Sequence, residues 1–93
     1  MDRRKGKNLM RPIKTLEQII AGSNAIRFVD MIALTEAFGF ELDRVNKGHH
    51  IFTHPMADRV ISLQSVRHTV KAYQGSQFLR FVHEYELKIA DDL

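Results

Sequence analysis

The sequence contains no cysteine, and this absence excludes several kinds of chemistry. Without thiols the chain can build neither a disulfide scaffold nor a thiolate zinc site, and it has no cysteine nucleophile. The absence is also compatible with a reducing compartment. At 93 residues the chain can bury roughly 60 to 65% of its unfolded surface without such cross-links. We therefore expect a domain that is held together by an apolar core.

Long apolar runs are missing as well. The first ten residues carry charge, but they are not followed by a hydrophobic run of the kind found in a signal peptide or a transmembrane segment. No internal repeat or low-complexity segment interrupts the chain. We therefore expect a cytoplasmic protein without membrane contact, in which a basic, disordered tail over residues 1–13 precedes a single domain over residues 14–93.

Positive charge is distributed unevenly along the chain, whose formal net charge is +3. The stretch over residues 43–71 carries Arg44, Lys47, Arg59, Arg67 and Lys71 together with His49, His50, His54 and His68, against only Asp43 and Asp58. A basic patch of this kind favours a polyanion through counterion release. A solvated basic face without a ligand is equally common, so composition alone leaves both interpretations open.

The hydrophobic pattern predicts two helices, three strands and a final helix. Thr15 has the spacing of a capping box, which predicts a short helix that begins there and ends at Gly22. A second helix is expected to end at Gly39. Three strands are expected within residues 40–63, followed by an amphipathic helix over about 74–88. The sum is an α+β domain in which helices pack on one face of a three-stranded antiparallel sheet.

The segment from Lys47 to Pro55 is the most informative one, because it places three histidines in one apparent strand. Histidine changes its charge near neutral pH, so such a cluster is a candidate for proton transfer or anion binding. Since side chains alternate along a strand, one face carries His50, Phe52 and His54, and the other carries His49, Ile51 and Thr53. If His50 meets a ligand, we expect His49 to face the helices as a packing residue.

From Gly48 to Pro55 the sequence is Gly-His-His-Ile-Phe-Thr-His-Pro. It resembles the Gly-Ser-His-His-x-aromatic-x-His-Pro pattern of the HicA family of bacterial and archaeal toxins. Further support comes from residues 36–42, from Leu63-Gln64 and from residues 73–79, and the whole resemblance spans roughly residues 27–90. Two departures are visible: the serine before the histidine pair is missing, and Lys71-Ala72 stands where the resemblance leads us to expect lysine-proline.

The resemblance implies a fold like that of double-stranded-RNA-binding domains, with an extra helix at the N-terminus. It also implies a metal-independent endoribonuclease that cleaves mRNA, needs no cofactor, has His50 as its catalytic residue and is neutralised by a HicB-like antitoxin. RNA supplies its own nucleophile, the 2′-hydroxyl group, so the protein has to move a proton, stabilise the phosphorane charge and position the strand. We expect RNA contacts from Lys47, Gly48, His54, Arg59, Arg67 and Lys71.

Two other functions stay open at this point. A module with the same fold could bind RNA through the basic patch without cleaving it, and His50 would then be only a contact. A metal-dependent hydrolase would use His50 and His54 as ligands, but no Cys, Asp or Glu stands beside them as a third ligand. Tyr73 and Phe52 could stack on a base, although aromatic residues at such spacing more often belong to a core.

Overall fold

The computed structural model describes residues 9–89, which form three helices and three strands. The elements are α1 (Met10–Ile20), α2 (Phe28–Ala37), β1 (Glu41–Asn46), β2 (His49–Thr53), β3 (Ile61–Gln64) and α3 (Ala72–Glu84). The strands form one antiparallel sheet in the order β1-β2-β3, so the histidine strand β2 is central. The predicted α+β class with a three-stranded antiparallel sheet is therefore confirmed. None of the helices within residues 9–89 is long and apolar enough to cross a bilayer.

Helix α1 begins earlier than the capping-box pattern predicts. Thr15 does not cap a helix; it lies in the middle of α1 and is only 1% exposed, so this prediction is wrong. Burial of Thr15 between Pro12 and Ile19 on one helix face outweighs the local capping signal. Pro12 is tolerated because it lies in the first turn, where a backbone N–H has no partner within the helix. Residues 10–13, assigned to the tail from charge alone, are thus helical, and residues 1–8 lie outside the described part.

Helices α1 and α2 both end as predicted, at a glycine in the left-handed region. Gly22 has a φ of 84° and Gly39 a φ of 93°. The amide of Gly39 donates to the Glu36 carbonyl at 2.9 Å, and the next amide, that of Phe40, donates to the Thr35 carbonyl at 3.3 Å. This pair of bonds satisfies the last carbonyls of α2 and turns the chain directly into β1.

The core lies between the helices and one face of the sheet. Phe52 of β2 and Leu63 of β3 are each 1% exposed and point to this inner face. The helices and loops contribute the other main members: Ile19, Ile26, Met31, Leu34, Phe38, Phe40, Val70, Phe78, Phe81 and Val82. The predicted apolar stripe of α3 is therefore confirmed as core. The outer face of the sheet is mostly polar and carries no helix among the described elements. The described helices therefore pack on the inner face.

Both α2 and α3 begin at the same end of the sheet. Phe28, the first residue of α2, contacts the ring of His50 near the start of β2. The amide of Phe28 donates to the His68 carbonyl at 2.8 Å, and Arg27 forms a bridge with Thr69 in the loop that leads into α3. We call this region the His50 end; it comprises Arg27, the residues from Lys47 to His50, and the loop over residues 65–71.

Candidate nucleic-acid interface

His50 lies on the same face of the sheet as Phe52, because of their spacing along β2. His50 and Phe52 are two positions apart along β2, so both side chains point to the inner face. The turn before β2 consists of Lys47 and Gly48, with φ values of 52° and 83°, the pattern of a tight two-residue hairpin turn. Although the serine is missing from this turn, His50 lies on the same face as Phe52.

The imidazole of His50 is held by packing. Its ring centroid lies 5.0 Å from that of Phe28, with an angle of 72° between the ring planes. Nδ1 is buried and has no hydrogen-bond partner among residues 9–89. Within this part of the chain, no carboxylate therefore orients the ring in the way that an aspartate orients the histidine of a catalytic triad. With Nδ1 enclosed, Nε2 is the nitrogen that can exchange a proton with a ligand.

His49 lies on the outer face of the sheet and is exposed, so the prediction that it packs against the helices is wrong. Its partners across the strands are Asn46 and Gln64. The prediction assumed that a ligand-binding histidine must leave the inner face. His50 instead lies near the end of the sheet, where an inner-face residue can reach solvent beside the helix N-termini.

His54 makes structural contacts with both of its ring nitrogens. The amide of Met56 donates to Nδ1 at 3.0 Å, so the proton of the ring lies on Nε2, which donates to the Phe38 carbonyl at 2.9 Å. The ring also packs on Phe40 at 4.9 Å between centroids. An added Cβ at Gly39 would lie 3.1 Å from Nε2. His54, an expected RNA contact, therefore lies where the end of α2 packs against the end of β2.

We expect His54→Ala to destabilise the fold by about 2 kcal/mol, because it removes two hydrogen bonds and an aromatic contact from a half-buried site. Urea unfolding followed by circular dichroism measures this change. His49→Ala is the matched control, since it deletes an exposed imidazole from the same strand and should change stability by less than about 0.5 kcal/mol. Equal stability of the two variants would contradict the structural role of His54.

Arg59 lies at the end of the sheet opposite to His50. Nη2 is 2.7 Å from Glu84 Oε1, Nε donates to the Tyr85 hydroxyl at 3.2 Å, and the guanidinium lies over the Phe81 ring at 5.3 Å. The Tyr85 hydroxyl itself donates to Asp58 at 2.7 Å, which raises the pKa of Tyr85 above its usual value. The same tyrosine, followed by Glu84, raises the pKa of Arg59. The predicted RNA contact at Arg59 is thus separated from His50 and tied to the end of α3.

The other predicted basic contacts do meet at the His50 end. Lys47, Arg67 and Lys71 are all exposed there, and Gly48 forms the turn beside them. Within residues 9–89 none of these three cations is part of an ion pair. Their positive charges add to the partial positive charges at the N-termini of α2 and α3. This end of the molecule can therefore attract a phosphate backbone.

Two residues of the His50 end do not stand out in the sequence. Arg27 is the N-cap residue of α2, and Lys71 holds the same position before α3, so the two cations occupy equivalent places. His68 supplies a second exposed imidazole from the loop. The bridge between Arg27 and Thr69 joins parts of the chain that are 42 residues apart, and no local pattern signals it. In the sequence, the one indication that Arg27 belongs to this region is its position directly before an apolar helix.

The two aromatic residues considered for stacking differ completely in exposure. Phe52 is 1% exposed and belongs to the core, whereas Tyr73, in the first turn of α3, is 56% exposed. Only Tyr73 of this pair can therefore meet a nucleobase. It follows Lys71 by two residues and so extends the His50 end onto the surface of α3.

Within residues 9–89, no three His, Asp or Glu side chains lie close enough together to hold a metal ion. Comparison with protein-family models, with curated proteins and with solved structures finds no match to this chain.

Proposed function

We propose that this protein is a HicA-like endoribonuclease that cleaves mRNA and is neutralised by a HicB-like antitoxin. The observation that carries the proposal is the placement of His50: its imidazole lies at an end of the sheet where Lys47, Arg67 and Lys71 are exposed and where two helices begin. The order α2-β1-β2-β3-α3, preceded by the extra helix α1, supports a fold like that of double-stranded-RNA-binding domains.

The proposed reaction needs few protein groups: the 2′-hydroxyl of RNA attacks the adjacent phosphate, the bond from phosphorus to the 5′ oxygen of the next nucleotide breaks, and a cyclic phosphate forms. His50 exchanges the proton, a role that contributes roughly 10² to 10⁴ to a rate. Arg27 and Lys71, at the helix N-termini, stabilise the extra negative charge of the phosphorane. His68 is available at the same end as a second imidazole for the leaving oxygen. Every step uses side chains of this chain and a hydroxyl of the substrate.

A second candidate function is a non-catalytic RNA-binding module. The buried Nδ1 of His50 favours it, because none of the described residues bonds this nitrogen and none of their carboxylates orients the ring. In such a module the basic His50 end would hold the phosphate backbone, and His50 would only contact it. The two functions share a binding surface and differ in whether the RNA chain is cut.

The experiment that separates them compares an RNA oligonucleotide with the same sequence carrying 2′-O-methyl groups. We expect the purified protein to cleave RNA in the presence of EDTA, to leave a cyclic phosphate at the new end, and to leave the methylated strand intact while still binding it. Mass spectrometry of the products and fluorescence anisotropy measure both properties. Binding of RNA without cleavage would favour the module, and cleavage that stops with EDTA and returns with zinc or manganese would favour a metal-dependent hydrolase.

A further inference from the structure

A groove of about 360 Å³ runs between β3 and α3, away from the His50 end. It is lined by Arg59, Val60, Ile61, Ser62, Leu63, Gln74, Gln77, Phe78, Arg80 and Phe81. Of its two arginines, Arg59 is paired with Glu84, whereas Arg80 is in no ion pair within residues 9–89. No acid of the described residues lines the groove. The sequence also has no Asp or Glu anywhere from residue 59 to residue 83. The groove is therefore suited to an anionic ligand.

The edge of β3 in this groove is already occupied by a side chain of the protein. Gln74 is 8% exposed; its Nε2 donates to the Ser62 carbonyl at 3.3 Å, and its Oε1 accepts from the Gln64 amide at 3.3 Å. The primary amide thus takes the place of one residue of a neighbouring strand. A peptide that binds by adding a strand to β3 would have to displace it. The groove can therefore recognise a ligand through its side chains and not through the backbone of β3.

A stripe of exposed residues on α3 connects this groove with the His50 end. Tyr73, Gln77 and Arg80 follow the spacing i, i+4, i+7, so they lie on one face of the helix. Tyr73 and Arg80 are separated by about 10 Å along the helix axis. This length matches about three nucleotides at roughly 3.4 Å per nucleotide of a stacked strand. The stripe ends where Glu84 binds Arg59.

We infer that the groove between β3 and α3 binds the single-stranded RNA that flanks the cleavage site, an inference that rests on the proposed function. Tyr73 stacks on a base next to the His50 end, and Arg80 binds a phosphate about three nucleotides farther along the strand. Arg59 lies at the far end of the RNA-binding part of the groove, because its guanidinium already binds Glu84. The substrate is then a single strand held over several nucleotides, whose unstacked bases are open to an aromatic side chain.

The test measures binding of a labelled single-stranded RNA of about 12 nucleotides, within the site sizes known for such grooves. Arg80→Glu should weaken binding about tenfold and lower the slope of log affinity against log salt by about 0.7, the value of one phosphate contact on a single strand. Lys14→Glu on α1 is the matched control, because it makes the same change of charge at an exposed residue that does not line the groove. It should leave the slope unchanged.

Tyr73→Ala tests the stacking contact separately. It should weaken binding at least about fivefold while leaving the salt slope unchanged, and Tyr73→Phe should restore binding, because a phenyl ring still stacks. In cleavage assays, Arg80→Glu should raise KM for the long RNA with kcat unchanged, because the contact is equally strong before and during the reaction.

The outcomes separate this inference from the proposed function. If wild type binds and cleaves RNA while Arg80→Glu and Lys14→Glu bind it equally well, the RNA site in the groove is wrong and the proposed function stands. If wild type binds RNA and shows the Arg80 and Tyr73 effects but never cleaves it, the RNA site in the groove stands and the proposed nuclease activity is wrong. If Arg80→Glu leaves RNA binding unchanged but abolishes binding of a labelled Asp-rich peptide, the groove takes an acidic peptide and the inference is overturned.

Discussion

His50→Ala is expected to lower the rate of RNA cleavage by at least about a hundredfold while the protein stays folded. The rate falls because the variant has no group at this position that can exchange a proton with the 2′-hydroxyl. The fold survives because Nδ1 makes no hydrogen bond to any residue from 9 to 89 and the ring contact with Phe28 contributes only about 1 kcal/mol. Single-turnover cleavage of a labelled RNA measures the rate, and a thermal melt measures the fold.

His49→Ala provides the matched control for this prediction. It removes the neighbouring imidazole, which lies on the outer face of the same strand, and should cleave RNA at nearly the wild-type rate. RNA binding by His50→Ala should remain close to wild type, because the cations of the His50 end are intact. Full activity in a folded His50→Ala protein, or loss of activity in His49→Ala, would show that the catalytic histidine has been placed on the wrong face.

The double variant Arg27→Glu/Lys71→Glu is expected to weaken RNA binding by about a hundredfold and to lower the salt slope by about 1.4, the value of two phosphate contacts on a single strand. Both residues precede helix N-termini, where a carboxylate interacts favourably with the helix dipole. The variant should therefore melt at the wild-type temperature or above. A loss of binding together with a gain of stability cannot be attributed to unfolding. Anisotropy at several salt concentrations and a thermal melt measure the two effects.

Lys14→Glu/Lys88→Glu makes the same change in net charge at exposed residues elsewhere and should bind RNA with nearly wild-type affinity. The Arg27/Lys71 variant should also bind a HicB-like antitoxin more slowly, because an acidic surface laid over the His50 end would steer the association. Equal RNA affinity of the two double variants would place the RNA site elsewhere. Loss of RNA binding with normal antitoxin binding would separate the two surfaces.

The parts of the fold that follow from local chemistry were predictable. A glycine such as Gly39 ends a helix because few other residues adopt its positive φ, and the spacing of Phe78, Phe81 and Val82 gives one buried helix face. The alternation along β2 placed His50 on the same face as Phe52. Each of these signals lies within one element, and the tertiary contacts of the fold agree with it.

The errors arose where partners distant in sequence decide the outcome. Thr15 carries a good capping pattern, yet burial against other helices places it inside α1. Arg59 looks like a free cation, but its partners in α3 lie about 25 residues farther along the chain. A glycine inside a helix ordinarily weakens it, but an added Cβ at Gly75 of α3 would lie 3.1 Å from Ile19, so this glycine permits close packing of α1 and α3. Such contacts carry no local pattern.

The amide of Gln74 also bears on how this protein behaves at high concentration. An unpaired strand edge is a template for aggregation, and this sheet has two edges, β1 and β3. Gln74 covers part of the β3 edge, and an irregularity between Leu42 and Arg44 interrupts the β1 edge. Substitutions at Gln74 would therefore cause loss of activity in a screen because the protein precipitates. Sedimentation would distinguish these variants from those with altered chemistry.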